Sequence, residues 1–384
     1  LIVQIVGAHL ILLALLDVFL TVLYARLKTG LSTPLLSRFV WWAFKRLCDM
    51  MPKWKDRVLT FAAPVTLVLM FVLWMSELII GHALLLWPGL FNGGITAVSG
   101  PTPTDFVTAI YYSGDNLTTV GNGDLNANGR FYKLLTVFES VAGMAVITLS
   151  ITYLLEIYSA LQRRNAFAVS LHHQTSSTGD AVEKIVGLGP NGDFEGARQD
   201  IQMIAKQLVD LYETHHFFWI LSYFRFEKEY YALSRIMLVV LDIVTLMRTG
   251  LSERRYTNLL RSGPLTEMWN SGMHLLRDFS QAYLPRTPSA SPTMDEDPAM
   301  IELWRQRYRM AVMQMRGAGI EVAEDLHLGE EKYVEMRREW DRYVNAFAHY
   351  MAHTPDEIDP AIASVRRREK QIHEVGVQAL RRAG

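Results

Sequence analysis

Three long apolar runs dominate the first 160 residues, and shorter amphipathic runs fill the rest of the chain. Residues 1–25 (LIVQIVGAHLILLALLDVFLTVLYA) carry a single charge, Asp17, and further apolar runs cover 58–87 and 134–161. About 20 such residues at 1.5 Å each cross a hydrocarbon core of roughly 30 Å. The pattern therefore predicts three membrane helices: an N-terminal one within residues 1–26, an outer one over 58–87 and an inner one over 131–161. The first run is too long for the apolar part of a cleavable signal and has no small-residue site after it.

Between the second and third runs the pattern changes twice. Residues 88–103 (PGLFNGGITAVSGPTP) form a Gly- and Pro-rich loop without an ionisable side chain. Thr104 or Asp105 then caps a helix predicted over 104–117, too short to span a bilayer. It ends at Thr118-Thr119-Val120-Gly121-Asn122-Gly123-Asp124, from which the chain must turn back before the inner helix begins. Non-helical backbone at membrane depth is tolerated only inside protein or beside a water-filled path. A re-entrant loop lining such a path is the consequence.

Beyond Arg164 the periodicity is that of packed amphipathic helices. Ile201, Ile204, Leu208 and Leu211 recur at three- and four-residue steps, which predicts one buried face in a helical region spanning 162–284. Residues 231–247 are more apolar, but Arg235 and Asp242 interrupt them, and a buried core helix is the reading. Pro285, Pro288, Pro292 and Pro298, with Asp295, Glu296 and Asp297, predict an exposed linker over 285–299. Residues 300–384 read as helical again, with a break near Gly317-Ala318-Gly319 and a stop before Pro355. Their basic tail (Arg366, Arg367, Arg368, Lys370, Arg381, Arg382) suits solvent or headgroups.

Charge adds an orientation. The chain has 384 residues and a formal net charge of -1, which gives no reason to expect a nucleic-acid partner. Eight Lys or Arg (Arg26, Lys28, Arg38, Lys45, Arg46, Lys53, Lys55, Arg57) crowd the 27–57 linker and its edge, whereas 87–129 has none. The positive-inside rule puts that linker and everything after 162 in the cytoplasm, and the N-terminus outside, in a multi-pass protein of the cell membrane. Pro34–Met51 mixes Trp41, Trp42 and Phe44 with Arg38, Lys45 and Arg46. It fits a helix lying in the bilayer interface, or one packed on its own protein. Cys48 has no second cysteine to pair with and falls on the reducing side.

The chemistry resides in residues 119–123. Consecutive backbone carbonyls aimed at one axis can replace an ion's hydration shell, and alternating glycines permit the backbone angles this needs. Thr119 adds a hydroxyl. From the outer helix to the inner one, residues 58–161, the chain resembles the potassium-channel pore family, whose filter reads TVGYG. Here Asn122 replaces the aromatic. The resemblance implies an all-α membrane fold and a tetrameric P-loop pore, with K⁺ as the permeant ion and Thr119, Val120, Gly121, Asn122 and Gly123 as the filter. It implies support from Tyr111 and Tyr112, which stand where the family often has a Trp pair. Asp115 and Asp124 are implied as a carboxyl pair sharing a proton; Asp115 alternatively attracts cations at a helix end. Gly143 falls at the inner-helix hinge position. With one such loop per chain, four copies are needed, hence a homotetramer.

Ile147, Ile151 and Leu155 follow Gly143 at four-residue steps and form either an apolar gate or plain helix packing. Glu139 and Glu156 should face protein or water, and Asp17 suits a packing contact near the membrane edge. No Arg ladder suggests a voltage sensor. Gly187-Leu188-Gly189-Pro190-Asn191-Gly192 has the spacing of a dinucleotide loop but follows no strand, so a loop between helices explains it better. The adjacent pairs His172-His173 and His215-His216 diverge on a helix and rarely chelate one metal. No nucleophile–base arrangement stands out, so neither an enzyme nor a cofactor is expected. The 162–384 region leaves room for an unknown cytosolic ligand or protein. Asn122 leaves a weakly selective pore as an alternative, and a non-conducting receptor or scaffold as another.

Overall fold

The computed structural model describes residues 1–24, 30–284 and 298–367. The basic residues Arg26 and Lys28, nearly all of the Pro-rich linker and the tail from Arg368 lie outside the described residues. The chain is helical almost throughout, and it divides into one unit of Leu1–Ala160 with His216–Phe224 and a second of Leu161–His215 with Arg225–Gly384. Among the described residues, three helices are long and apolar enough to cross a membrane: Ile2–Leu23, Ala62–Phe91 and Arg130–Gln174.

In the first unit, helix α1 (Ile2–Val18) passes into a π-helical turn at Phe19–Leu23. It packs along α4 (Ala62–Phe91) through two glycines. A Cβ on Gly7 would lie 2.5 Å from the Gly81 carbonyl oxygen, and one on Gly81 would lie 2.9 Å from that of Gly7. Small residues let helix backbones approach in this way where lipid supplies no hydrophobic drive. Helix α2 (Thr33–Met50) also lies against α4, burying Ser37, Val40 and Trp41 while exposing Leu35, Phe39 and Trp42. Asp17 explains the arrangement. Its buried carboxylate accepts from the Leu31 and Ser32 backbone N–H groups and the Thr33 hydroxyl, all at the start of α2, and from Trp74 Nε1 of α4 at 2.8 Å. An acid at a helix N-terminus satisfies donors that have no partner within the helix. The single charge of the first run thus joins three helices.

A short helix α3 (Lys55–Thr60) precedes α4. Helix α4 starts later than the sequence suggested and runs past Pro88, which sits four residues before its Asn92 cap and costs it only one internal bond. Strands β1 (Ile95–Ala97) and β2 (Leu125–Ala127) pair antiparallel, with Thr96 opposite Asn126, on either side of helix α5 (Phe106–Leu117). Asp105 is the N-cap, accepting from Thr108 N at 3.0 Å. Helix α6 (Arg130–Gln174) continues well beyond the expected end near 161, because Gln162, Arg163, Arg164 and Asn165 contain nothing that stops a helix.

The second unit is built around α9 (Leu233–Gly250), buried on nearly every side. It packs against α7 (Ala181–Leu188), α11 (Gly263–Tyr283) and α13 (Leu326–Tyr350), and α12 (Pro298–Gly317) packs on α13. Helices α8 (Ala197–Phe217) and α10 (Glu253–Leu260) also belong to it, with a short turn α14 (Pro355–Ile358) followed by helical residues 360–367. Asp242, the acid inside the apolar α9 run, is fully partnered. It accepts from Tyr333 Oη at 2.7 Å and from Arg307 and Arg337 at 3.2 Å each. Burial opposes the Arg307 charge, but Asp180 and Asp242 outweigh it and hold the guanidinium more firmly protonated than usual. The glycine-rich 187–192 segment ends α7 and forms a 3₁₀ turn, Pro190–Gly192, whose Gly192 carbonyl accepts from Tyr256 Oη at 3.1 Å. It is a loop between helices.

Candidate functional site

The geometry of residues 118–124 grows out of the end of α5. Thr119, Gly121 and Gly123 have positive φ (58°, 68° and 74°), whereas Val120 and Asn122 do not. Alternation between the two helical hands turns successive peptides so that like groups point the same way. At Gly121 and Gly123 the left-handed region costs little; at Thr119 it must be held by neighbours.

Asp115 does the holding. Its backbone carbonyl accepts from Val120 N at 3.1 Å, and its carboxylate accepts from Asn122 N at 3.0 and 3.1 Å. The peptides are trans, so each C=O points opposite to the next residue's N–H. Fixing the N–H groups of Val120 and Asn122 on Asp115 of α5 therefore turns the carbonyls of Thr119 and Gly121 away from that helix. The whole 118–124 segment is exposed within the single chain, including Val120 at 66 %.

Of the two tyrosines, Tyr111 serves this loop: its hydroxyl accepts from Asn122 Nδ2 at 3.0 Å and also engages Asp124. Tyr112 does not. It is buried with Leu86, Ile95, Ala109 and Leu125 on the far side of α5, where it fixes the helix to α4 and the strand pair. Adjacent helical residues point about 100° apart, and here only Tyr111 is turned toward Asn122. The acids also differ from the implied pair. Asp115 takes donors from Asn122, while Asp124 has Tyr111 at its side chain and Val98 N at its carbonyl, 2.9 Å away. Each carboxylate has donors of its own. The β1–β2 pairing that delivers Val98 was not read from the sequence, although Ile95-Thr96 beside Gly93-Gly94 is a short strand signal.

The inner helix meets the last turns of α5 at three points. The Glu139 carboxyl meets Ser113 Oγ, Ser140 Oγ reaches the Asn116 carbonyl at 3.0 Å, and Gly143 lies against Leu117. A Cβ on Gly143 would sit 2.1 Å from the Leu117 carbonyl oxygen. Gly143 is thus demanded by close packing, within a helix that runs on unbroken. Ile147 is half-buried, while Ile151 and Leu155 are 56 % and 66 % exposed and make no core of their own chain. The opposite face, with Ala142, Val146, Tyr153 and Ile157, is the buried one. Glu156 is exposed as well. No group of His, Cys, Asp and Glu suited to a metal ion occurs among the described residues.

Residues 69–160 match the family described as Ion channel, which spans most of α4, all of α5 and the first 31 residues of α6. A relative from Bacillus subtilis (strain 168), Uncharacterized membrane protein YdjJ, is 28 % identical over 324 residues, covering 81 % of this chain and 89 % of its own length. No solved structure matches. The family match covers the membrane segment from α4 into α6, and the relative extends the similarity into the second unit.

Proposed function

We propose, from the ion-channel match of residues 69–160, that the protein is a cation channel most selective for potassium, formed by four copies around the 119–123 loop. The observation that carries this is the anchoring of the Val120 and Asn122 N–H groups on Asp115, which sends the Thr119 and Gly121 carbonyls away from the pore helix. Carbonyls so directed in four chains would form the stacked rings that strip water from K⁺. The exposed face of α6 bearing Ile151 and Leu155 is the natural lining or gate on the cytoplasmic side, and the second unit lies in the cytoplasm.

A second reading, weaker K⁺/Na⁺ discrimination, rests on one bond. Asn122 Nδ2 to Tyr111 is a neutral, exposed hydrogen bond, and it stands where a packed aromatic would hold the ring.

Purified protein in liposomes tests both. K⁺ efflux that Gly121→Asp abolishes is expected, and reversal potentials in mixed K⁺ and Na⁺ rank the two readings. Absence of K⁺, Rb⁺ and Na⁺ flux under all conditions would overturn the channel and leave the membrane scaffold.

A further inference from the structure

One buried acid of the inner helix has no part in the conduction path. Glu139 of α6 is fully buried, and its contacts reach both other membrane elements around the loop. Ser113 Oγ of α5 meets Glu139 Oε1 and also lies 2.9 Å from the Ile79 carbonyl oxygen of α4. His82 Nδ1 of α4 is 2.9 Å from the Leu78 carbonyl oxygen and 3.9 Å from Glu139 Oε1.

Counting protons favours one state of this cluster. A carbonyl oxygen only accepts, so His82 Nδ1 carries the hydrogen that meets Leu78, and Ser113 must donate if it is to bond Ile79. Ser113 has one hydroxyl hydrogen. Each of its contacts has a hydrogen of its own when Glu139 carries a proton and donates it to Ser113 Oγ. Two orphan atoms agree: Glu139 Oε2 and His82 Nε2 are buried without a partner, which suits a neutral acid beside a neutral imidazole far better than an ion pair. The ionisable groups facing Glu139 are His82 from α4 and the Tyr112 phenol from α5.

We infer that Glu139 is a positioning residue whose proton ties the pore helix to the outer and inner helices at once, so that conduction depends on that proton. When Glu139 ionises and its proton passes to bulk water, Ser113 must turn its only hydrogen toward the carboxylate. The tie to Ile79 is then lost. The helix that holds the 119–123 loop then keeps its apolar packing on α4 but loses its hydrogen bond to it two residues before Asp115. This inference rests on the proposal that the loop conducts.

The test uses the full chain in liposomes and measures K⁺ flux from about pH 5 to about pH 9, a range that brackets reference and buried carboxyl values. Wild-type flux should fall as pH rises, by at most about tenfold per pH unit for one proton. Glu139→Gln, which keeps a donor for Ser113, should hold the low-pH flux across the range. Infrared spectra of the same samples at neutral pH should show a protonated-carboxyl C=O band that Glu139→Gln removes. A Glu139→Gln pH profile equal to wild type, or a band untouched by the substitution, overturns the inference. Wild type without flux at every pH defeats the channel reading instead, and the infrared band still decides the proton.

Discussion

Gly143→Ala is the sharpest test of how the inner helix meets the loop. The added Cβ would lie 2.1 Å from the Leu117 carbonyl oxygen and 2.9 Å from its carbonyl carbon. Carbon and oxygen need about 3.3 Å, so α5 and α6 must part by roughly 1 Å. The obstacle is backbone, which no rotamer change relieves. Overpacking of this kind costs about 1–3 kcal/mol, and stretching the adjacent Ser140 to Asn116 bond adds about 0.5–1.5 kcal/mol. Leu117 is two residues from Thr119, so the displacement is delivered to the loop itself. Gly143→Ala should lower K⁺ flux in liposomes by about tenfold or more, the factor for 1.4 kcal/mol, and the detergent-solubilised protein should unfold at lower temperature. Gly187→Ala serves as control, since nothing lies within 4 Å of a Cβ there and helix propensity favours it. A hinge glycine would behave differently: alanine would slow opening and leave stability intact. Wild-type stability with unchanged K⁺/Na⁺ selectivity in Gly143→Ala would refute the close approach.

Asp115→Ala removes the acceptor of the Asn122 N–H, a charge-assisted bond of about 1.5–3 kcal/mol in each chain; reversal potentials should move toward the Na⁺ value, and an unmoved potential would contradict the anchoring role. Asp17→Asn puts an amide donor against Trp74 Nε1 or the Thr33 hydroxyl, and the detergent-solubilised protein should unfold at lower temperature; an unchanged unfolding temperature would argue against the cap. In the second unit, burial and then the Arg164 charge push His215 down to about 3, while its Nδ1 donates to the Leu211 carbonyl. The unfolded chain takes up this proton first, near its reference value of about 6.5, so stability is whole above that pH and declines as pH falls toward 3. At about pH 5 the loss is about 2 kcal/mol. Acid titration followed by near-ultraviolet circular dichroism should show this slope, and His215→Gln should flatten it.

The loop was legible because its conformation is local: Thr119, Gly121 and Gly123 carry their own backbone angles, and Asp115 lies within a few residues of everything it holds. Partners farther along the chain were not legible. Asp17 could be seen as a lone acid in an apolar run, but its donors lie 14 to 57 residues away. Asp242 repeats the case, with Arg307, Tyr333 and Arg337 on helices much later in the sequence. The cost of burying a charge predicts that some partner exists, and only folding says which. Tyr111 and Tyr112 illustrate the same limit at close range. Composition cannot say which face of α5 is covered by α4, and that face alone decides which tyrosine reaches Asn122.

The three contacts of α6 on α5 bear on how such a loop would be controlled. Glu139, Ser140 and Gly143 lie one to four residues apart on one helix face, and so do Ser113, Asn116 and Leu117 on the other. Two helices fastened at three points within four residues of each other slide or rotate past one another only by breaking those ties. Asp115 lies inside the fastened stretch, and its backbone carbonyl holds Val120 N. A rotation of α6 would therefore reach the 119–123 carbonyls even if the helix stayed straight at Gly143. Control of this kind predicts that variants at Ser113 or Ser140 change ion selectivity as well as open probability, whereas a gate confined to Ile151 and Leu155 would change open probability alone. Paired reversal-potential and open-probability measurements on Ser140→Ala separate the two, and an altered open probability with wild-type selectivity would place control wholly at the far end of α6.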